Sequence, residues 1–244
     1  MSMKLTEPED KVLSIDIGGS RIKATILDIE GKMLRDYVRI DTPSSADPEH
    51  IMQAIVELTR GFEPYTKVSV GFPGYVRKGV VYTAPNLSTE KWRGLDLSKR
   101  LSEILKRPVR VLNDADMQGL GIATGKGLEM VVTLGTGFGT ALLIDGNLLP
   151  HLEIAHHPVS KERDYDQYIG EKALEEVGID RWNKRMRKVI EILKTVINYD
   201  HLYISGGNSK KINFKTDDKI TLVSNIDGIK GGAKLWQRES FYSV

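Results

Sequence analysis

Cysteine is absent from this 244-residue chain, which excludes disulfides and thiolate metal sites. Charge of one sign is also missing: 35 Lys and Arg stand against 33 Asp and Glu, for a net +2. A balance of that kind implies no nucleic-acid partner. No apolar run approaches the roughly 18 residues that a membrane-spanning helix needs. Residues 1–10 lack the basic-then-apolar pattern of a signal peptide. At 40% hydrophobic and 28% charged residues, the composition is that of an ordinary folded chain rather than a disordered one. A soluble cytoplasmic protein is expected, large enough for one domain or for two small ones around a cleft.

The most informative stretch is residues 12–23. An apolar run carries Asp16 near its end, drops into Gly18-Gly19-Ser20, and is followed at once by a second apolar-rich run holding Lys23. Two strands joined by a tight glycine hairpin are expected. Glycine lets backbone N–H groups converge on a ligand, since no Cβ blocks the approach and positive φ costs little. With the Ser20 hydroxyl and the Asp16 carboxylate, the turn would cradle a phosphate and a divalent cation. An ordinary hairpin turn is the competing explanation.

Further along, residues 33–40 suit a third strand, residues 48–59 an amphipathic helix, and residues 67–71 a short buried strand. Gly71-Phe72-Pro73-Gly74 breaks the chain, residues 80–82 suit a short strand, and residues 83–92 a loop. A helix over 97–105, a strand over 108–112 and a helix over 115–123 follow, with Asn113-Asp114-Ala115-Asp116 at the last junction. Residues 130–144 then repeat the opening pattern of strand, glycine turn and strand, this time around Gly135-Thr136-Gly137-Phe138-Gly139-Thr140. Two related α/β halves facing across a cleft are the simplest account of the repeat. Residues 150–165 look irregular, residues 165–177 and 180–198 helical, and residues 201–205 a strand leading into Gly206-Gly207-Asn208. A strand near 220–223 and a final helix over about 226–237 complete the chain. Lys184, Arg185, Arg187 and Lys188 could form a polyanion patch, although the solvated face of an amphipathic helix is the simpler account.

Facing glycine hairpins can grip a polyphosphate from two sides with fixed donors. Asp114, where a strand end opens a helix, is a candidate base or a helix cap, and Asn113 and Asp116 could cap equally well. Glu153 and His156, with His157, could converge on sugar hydroxyls; zinc is the weaker alternative without further ligands nearby. Asn86 and Trp92 could shape a pocket, or Trp92 could simply pack. Gly206 and Gly207 offer flat backbone on which a nucleotide base could lie.

Taken in this order, Asp16–Lys23, Gly71–Gly74, Asn113–Asp116, Leu134–Gly139, Glu153–His156 and Ser205–Asn208 resemble the ROK family of sugar kinases and repressors, most closely its polyphosphate/ATP glucokinase branch. The resemblance implies the two-domain actin-like ATPase (ribonuclease H-like) α/β fold. Expected domains are residues 11–112 and 113–225, with the helix at about 226–237 packed back on the first. Asp114 would be the catalytic base. Asn86, Asn113, Glu153 and His156 would bind the sugar. Asp16, Gly18, Gly19, Ser20, Lys23, Thr136, Gly137, Gly206 and Gly207 would hold phosphates and nucleotide, with magnesium on Asp16.

The implied reaction moves a phosphoryl group from ATP or inorganic polyphosphate to the 6-hydroxyl of a hexose, glucose first among them. Mannose, N-acetylmannosamine, a non-catalytic sugar sensor and a polyphosphate phosphatase are the alternatives. A homodimer is expected because the family commonly forms one, and neither nucleic acid nor membrane is an expected partner. The family's cysteine-rich zinc loop is missing, as in the polyphosphate branch, so no structural zinc is expected. Ala155 stands where the family has glycine, and the family's second sugar-binding carboxylate has no clear match. With the first strand starting near residue 11, no room is expected for the helix-turn-helix of the repressors.

Overall fold

A computed structural model describes residues 10–62, 64–224 and 228–239. The opening apolar run forms β1 (Val12–Ile17) and β2 (Arg21–Leu27), paired antiparallel so that Ile17 faces Ile22 across the turn. β3 (Val38–Asp41) adds to the edge of β2. It is shorter than the 33–40 strand expected. Only Met33 makes an isolated bridge to Leu27, after which the Arg35 carbonyl is taken by the Thr25 hydroxyl and Leu34 turns outward. α1 (Pro48–Leu58) is capped by Asp47 and buries Ile51, Met52 and Ile55. β4 (Lys67–Phe72) then lies parallel to β1.

A small ribbon, β5 (Val76–Arg77) with β6 (Val80–Val81), leads into α2 (Thr89–Trp92) and α3 (Leu97–Leu105). The α2 turn lies where a plain loop was expected; the Thr89 hydroxyl accepts the Ala84 N–H and fixes the bend before it. Trp92 is fully buried, donates to the Ala46 carbonyl and packs 4.9 Å from Phe72, so its role is packing. β7 (Val109–Asn113) closes a five-stranded sheet in the order β3-β2-β1-β4-β7.

The second sheet repeats this plan. β8 (Leu128–Leu134) and β9 (Phe138–Ile144) form a hairpin, β10 (Asn147–Leu148) extends its edge, and β11 (His201–Ser205) and β12 (Ile220–Leu222) continue in parallel on the other side. Its order, β10-β9-β8-β11-β12, reproduces the first sheet's two antiparallel pairs followed by two parallel ones. α5 (Tyr165–Ile169) and α6 (Glu171–Ile197) cover its outer face. Gly178, at φ +73°, breaks α6 where the sequence separates two helices. Lys184, Arg187 and Lys188 are exposed on α6, as a solvated helix face requires, while half-buried Arg185 lies over Tyr168 and Arg187 over Phe214.

Between the two sheets runs α4 (Asp114–Ile122). It approaches both closely because glycine stands at each contact. A Cβ on Gly71 would come 3.3 Å from the Asp114 Cα, and one on Gly119 would come 2.7 Å from the Ala141 Cβ. α7 (Gly231–Lys234) returns to the first sheet, where the Gly232 carbonyl accepts from Ser69 at 2.5 Å and Trp236 Nε1 donates to the same hydroxyl at 2.9 Å. Its glycines lie where a Cβ would overlap the Met117 carbonyl and Ser14, so close helix packing explains them. The expected helix start at 226 lies outside the described residues, and the regular helix ends at Lys234 rather than 237.

Candidate active site

A cleft of about 560 Å³ opens between the sheets, and both glycine hairpins line it. In the first hairpin the Gly18 N–H donates to the Arg21 carbonyl at 2.9 Å, and the Thr42 hydroxyl donates to the Gly18 carbonyl at 2.7 Å. Neither hairpin's glycines on this cleft adopt positive φ. What they require is room. A Cβ on Gly18 would meet the Arg21 carbonyl at 2.9 Å, and one on Gly19 would sit 3.3 Å from the Asn86 Cβ. Strand pairing sets Asp16 opposite Lys23, and their side chains meet at 3.0 Å. That carboxylate outweighs burial and raises the Lys23 ammonium above its usual range.

The second hairpin is held from outside. Phe138 N–H donates to Asp166 at 2.6 Å, Glu171 N–H to the Thr136 carbonyl at 3.2 Å, and Asn208 to the Gly135 carbonyl at 3.1 Å. A Cβ on Gly137 would lie 2.8 Å from Asp166 Oδ1. Gly206, at φ +94°, turns β11 into a short 3-10 segment, Gly207–Lys211, against the Leu134 backbone. Gly206 and Gly207 both reach the cleft.

The N-terminus of α4 forms part of the floor. Asn113, buried, is the cap: its Oδ1 accepts the Ala115 and Asp116 N–H groups at 2.8 and 3.2 Å, and its Nδ2 donates to Gly74. Asp114 is thereby free of capping duty. It accepts its neighbour Ala115's N–H at 2.8 Å and pairs with no cation among the described residues. Burial, followed by the nearby Asp16 charge, pushes its carboxyl up to about 7, a proton affinity matched to a general base near neutral pH. Asp116 does not cap. Its buried carboxylate meets His151 Nδ1 at 2.8 Å.

On the opposite wall Glu153 accepts from the Thr83 hydroxyl at 3.3 Å, with His151 Nε2 at 3.7 Å and His156 Nε2 at 3.9 Å. Burial alone would raise the Glu153 carboxyl, but the imidazoles and Thr83 bring it below its ordinary value. The structure therefore assembles on one cleft Asp16, Gly18, Gly19, Ser20, Lys23, Asn86, Asn113, Asp114, Thr136, Gly137, Glu153, His156, Gly206 and Gly207, every position expected from sequence. Sequence reasoning did not single out Asp166 and His151. The Asp164–Gln167 capping box was a readable signal for the helix that carries Asp166. Nothing local pairs His151 with Asp116, 35 positions earlier in the chain.

The ROK family model matches residues 12–157. The chain belongs to the ROK family. The polyphosphate glucokinase of Mycobacterium tuberculosis is 33% identical over 220 residues, covering 86% of this chain and 81% of that protein. The Mycobacterium leprae polyphosphate glucokinase is 33% identical over 229 residues, covering 90% of this chain and 69% of that one. Among solved structures, the inorganic polyphosphate/ATP-glucomannokinase of an Arthrobacter strain superposes with a TM-score of 0.84 at 31% identity, over 92% of this chain and 97% of that one. A ROK glucokinase of Streptomyces griseus, solved with glucose and AMPPNP, superposes at 0.78 with 20% identity, which shows the shared fold. This ROK chain has the actin-like ATPase fold of those kinases. Among its described residues no helix is long and apolar enough to cross a membrane.

Proposed function

We propose that this ROK protein is a hexose kinase that phosphorylates the 6-hydroxyl of glucose, with ATP or inorganic polyphosphate as donor. The observation that carries this reading is Asp114: a carboxylate freed from capping, with a proton affinity near neutrality, on a cleft lined by two phosphate-sized glycine turns. The place of each residue on the cleft supports a division of roles. The hairpins at Gly18–Ser20 and Thr136–Gly137 hold the donor's phosphates through backbone N–H groups and hydroxyls. Gly206 and Gly207 provide the surface for an adenosine when ATP is the donor. Asn86, Asn113, Glu153 and His156 orient the sugar. Asp114 takes the proton of the 6-hydroxyl as that oxygen bonds to the terminal phosphorus; the bond to the leaving oxygen breaks, releasing ADP or a polyphosphate one unit shorter.

Magnesium fits this donor set. Among the described residues no cluster of three or more metal-ligating side chains exists, and Mg²⁺ in phosphoryl-transfer sites is typically held by one or two carboxylates plus substrate phosphates. Asp16, beside the first hairpin, supplies that carboxylate and keeps one oxygen clear of Lys23. A bound magnesium ion supplies charge neutralisation on the donor's phosphates.

Mannose as a second acceptor is favoured by the Arthrobacter glucomannokinase at 31% identity. Residues 11–112 and 113–225 are proposed as two lobes able to close over the substrates, in a cytoplasmic homodimer. The test is product formation by the purified chain with magnesium, offering glucose, mannose and N-acetylmannosamine with each donor separately. Glucose 6-phosphate from either donor is the expected product. Sugar binding with no phosphorylation would make the protein a sensor and Asp114 a structural group.

A further inference from the structure

His151 has a buried position that the proposed chemistry does not use. Its side chain is 6% exposed, on the segment between β10 and the short helical turn Ile154–His156. Its two ring nitrogens face two carboxylates: Nδ1 lies 2.8 Å from Asp116 Oδ2, and Nε2 lies 3.7 Å from Glu153 Oε1. Tyr75, from the turn after β4, stacks on the ring at 5.9 Å. The Thr83 hydroxyl, beyond β6, reaches the same Glu153 oxygen.

Three chain segments thus meet at one imidazole, and only Glu153 among its two acidic neighbours lines the cleft. Asp116 is nearly inaccessible, at 5% side-chain exposure, and His151 is its one ion-pair partner among the described residues. Burial raises the Asp116 carboxyl even with the His151 ring beside it, so its ionised form depends on that ring as the buried cation. A cationic ring held from behind in this way presents its second N–H side to Glu153. Burial opposes the proton on His151, but the Asp116 and Glu153 carboxylates prevail and push its affinity up to about 10.

We infer that His151 is a positioning residue, anchored by the buried Asp116, that fixes the Glu153 carboxylate for hydrogen bonding to the sugar. The inference rests on the proposed role of Glu153 in sugar binding. Asp116 serves as the anchor and Glu153 as the working group. Freed from His151, Glu153 would keep the Thr83 hydroxyl on Oε1 and the more exposed His156 on Oε2, but would lose the only buried cation facing it among the described residues. The effect belongs to the hexose side of the cleft; the hydrogen bonds that hold the donor hairpins run to Arg21, Thr42, Asp166, Glu171 and Asn208 rather than to His151 or Asp116.

The test compares the full-length wild type with His151→Asn and with the double variant Asp116→Asn/His151→Asn. The single variant strands the Asp116 charge and is at risk of misfolding; the double variant removes both members of the buried pair. In the double variant, KM for glucose should rise about tenfold, the loss of one well-placed hydrogen bond, while KM for the donor stays within twofold and kcat falls less than threefold. Calorimetric glucose affinity should fall by the same factor. Wild-type KM and affinity for glucose in a folded double variant would overturn the inference. So would an equal loss for sugar and donor, which a merely structural role predicts. If the wild type binds glucose without phosphorylating it, the kinase reading fails while the calorimetric comparison still decides the role of His151. If it binds no hexose, both fall.

Discussion

At the residue scale the proposed chemistry turns on Asp114 and on what keeps it from ordinary structural work. Asn113 takes the cap of α4 and Asp116 takes His151. Because burial raises the Asp114 carboxyl to about 7, kcat/KM for glucose should fall tenfold per unit as pH drops below about 7, since that ratio reports the free enzyme's base. A flat profile between pH 5 and 8 would remove Asp114 as the base. The same burial predicts a stability cost. The folded-state affinity lies above the unfolded value of 3.8, so the penalty is absent below pH 4, grows between 4 and 7, and is complete above 7. Asp114→Asn should therefore raise Tm at pH 8 and leave it unchanged at pH 4, a difference that calorimetry reads directly. Asp114 was legible in the sequence because a strand end opening a helix places a carboxylate at a cleft. The His151–Asp116 pair was not, because it exists only once the segment after β10 has packed on α4.

At the scale of elements, each glycine hairpin is shaped by a partner outside it. Asp166 from α5 receives the Phe138 N–H and leaves no room for a Cβ on Gly137. Gly137→Ala should therefore displace the turn, raising the KM of ATP or polyphosphate by about tenfold, roughly 1.4 kcal/mol, with glucose affinity unchanged in a binding titration. The end of α4 is fixed by a second buried carboxylate. Glu129 accepts N–H groups from Thr124, Gly125 and Lys126 and the hydroxyls of Thr124 and Tyr203. These bonds overcome burial and hold its carboxyl below the usual range. Glu129→Gln would turn an amide NH₂ toward donors, at a cost of about 1.5–3 kcal/mol measurable by urea unfolding. The hairpins and most helices were legible because period and turn residues agree there. The third strand and the final helix were overextended. Edge pairing at β3 is ended by a side-chain bond from Thr25 to a backbone carbonyl, and the α7 glycines reflect contact with distant Met117 and Ser14.

At the scale of the molecule, two sheets of the same strand plan place equivalent hairpins on one cleft, with α4 between them. The repeat was visible in sequence as strand, glycine turn and strand; the return of the C-terminal segment to Ser69 was only partly so, since it depends on contacts across more than 160 residues. The residues proposed to hold sugar and phosphates come from both halves. Glucose with a non-hydrolysable ATP analogue should therefore raise Tm by more than the sum of their separate shifts, because each ligand restrains the cleft for the other. Strictly additive shifts would contradict coupled binding across the sheets.

The proposed reaction is phosphoryl transfer to glucose by this ROK chain with Asp114 as base. The most direct measurement is glucose 6-phosphate formation by the wild type and Asp114→Asn side by side, with glucose affinity measured for both. Expected are turnover in the wild type, a loss of about 10²–10⁴-fold in kcat for the variant, and glucose affinity within threefold. Near-normal turnover by Asp114→Asn, or a wild type that binds glucose and forms no product, would contradict it.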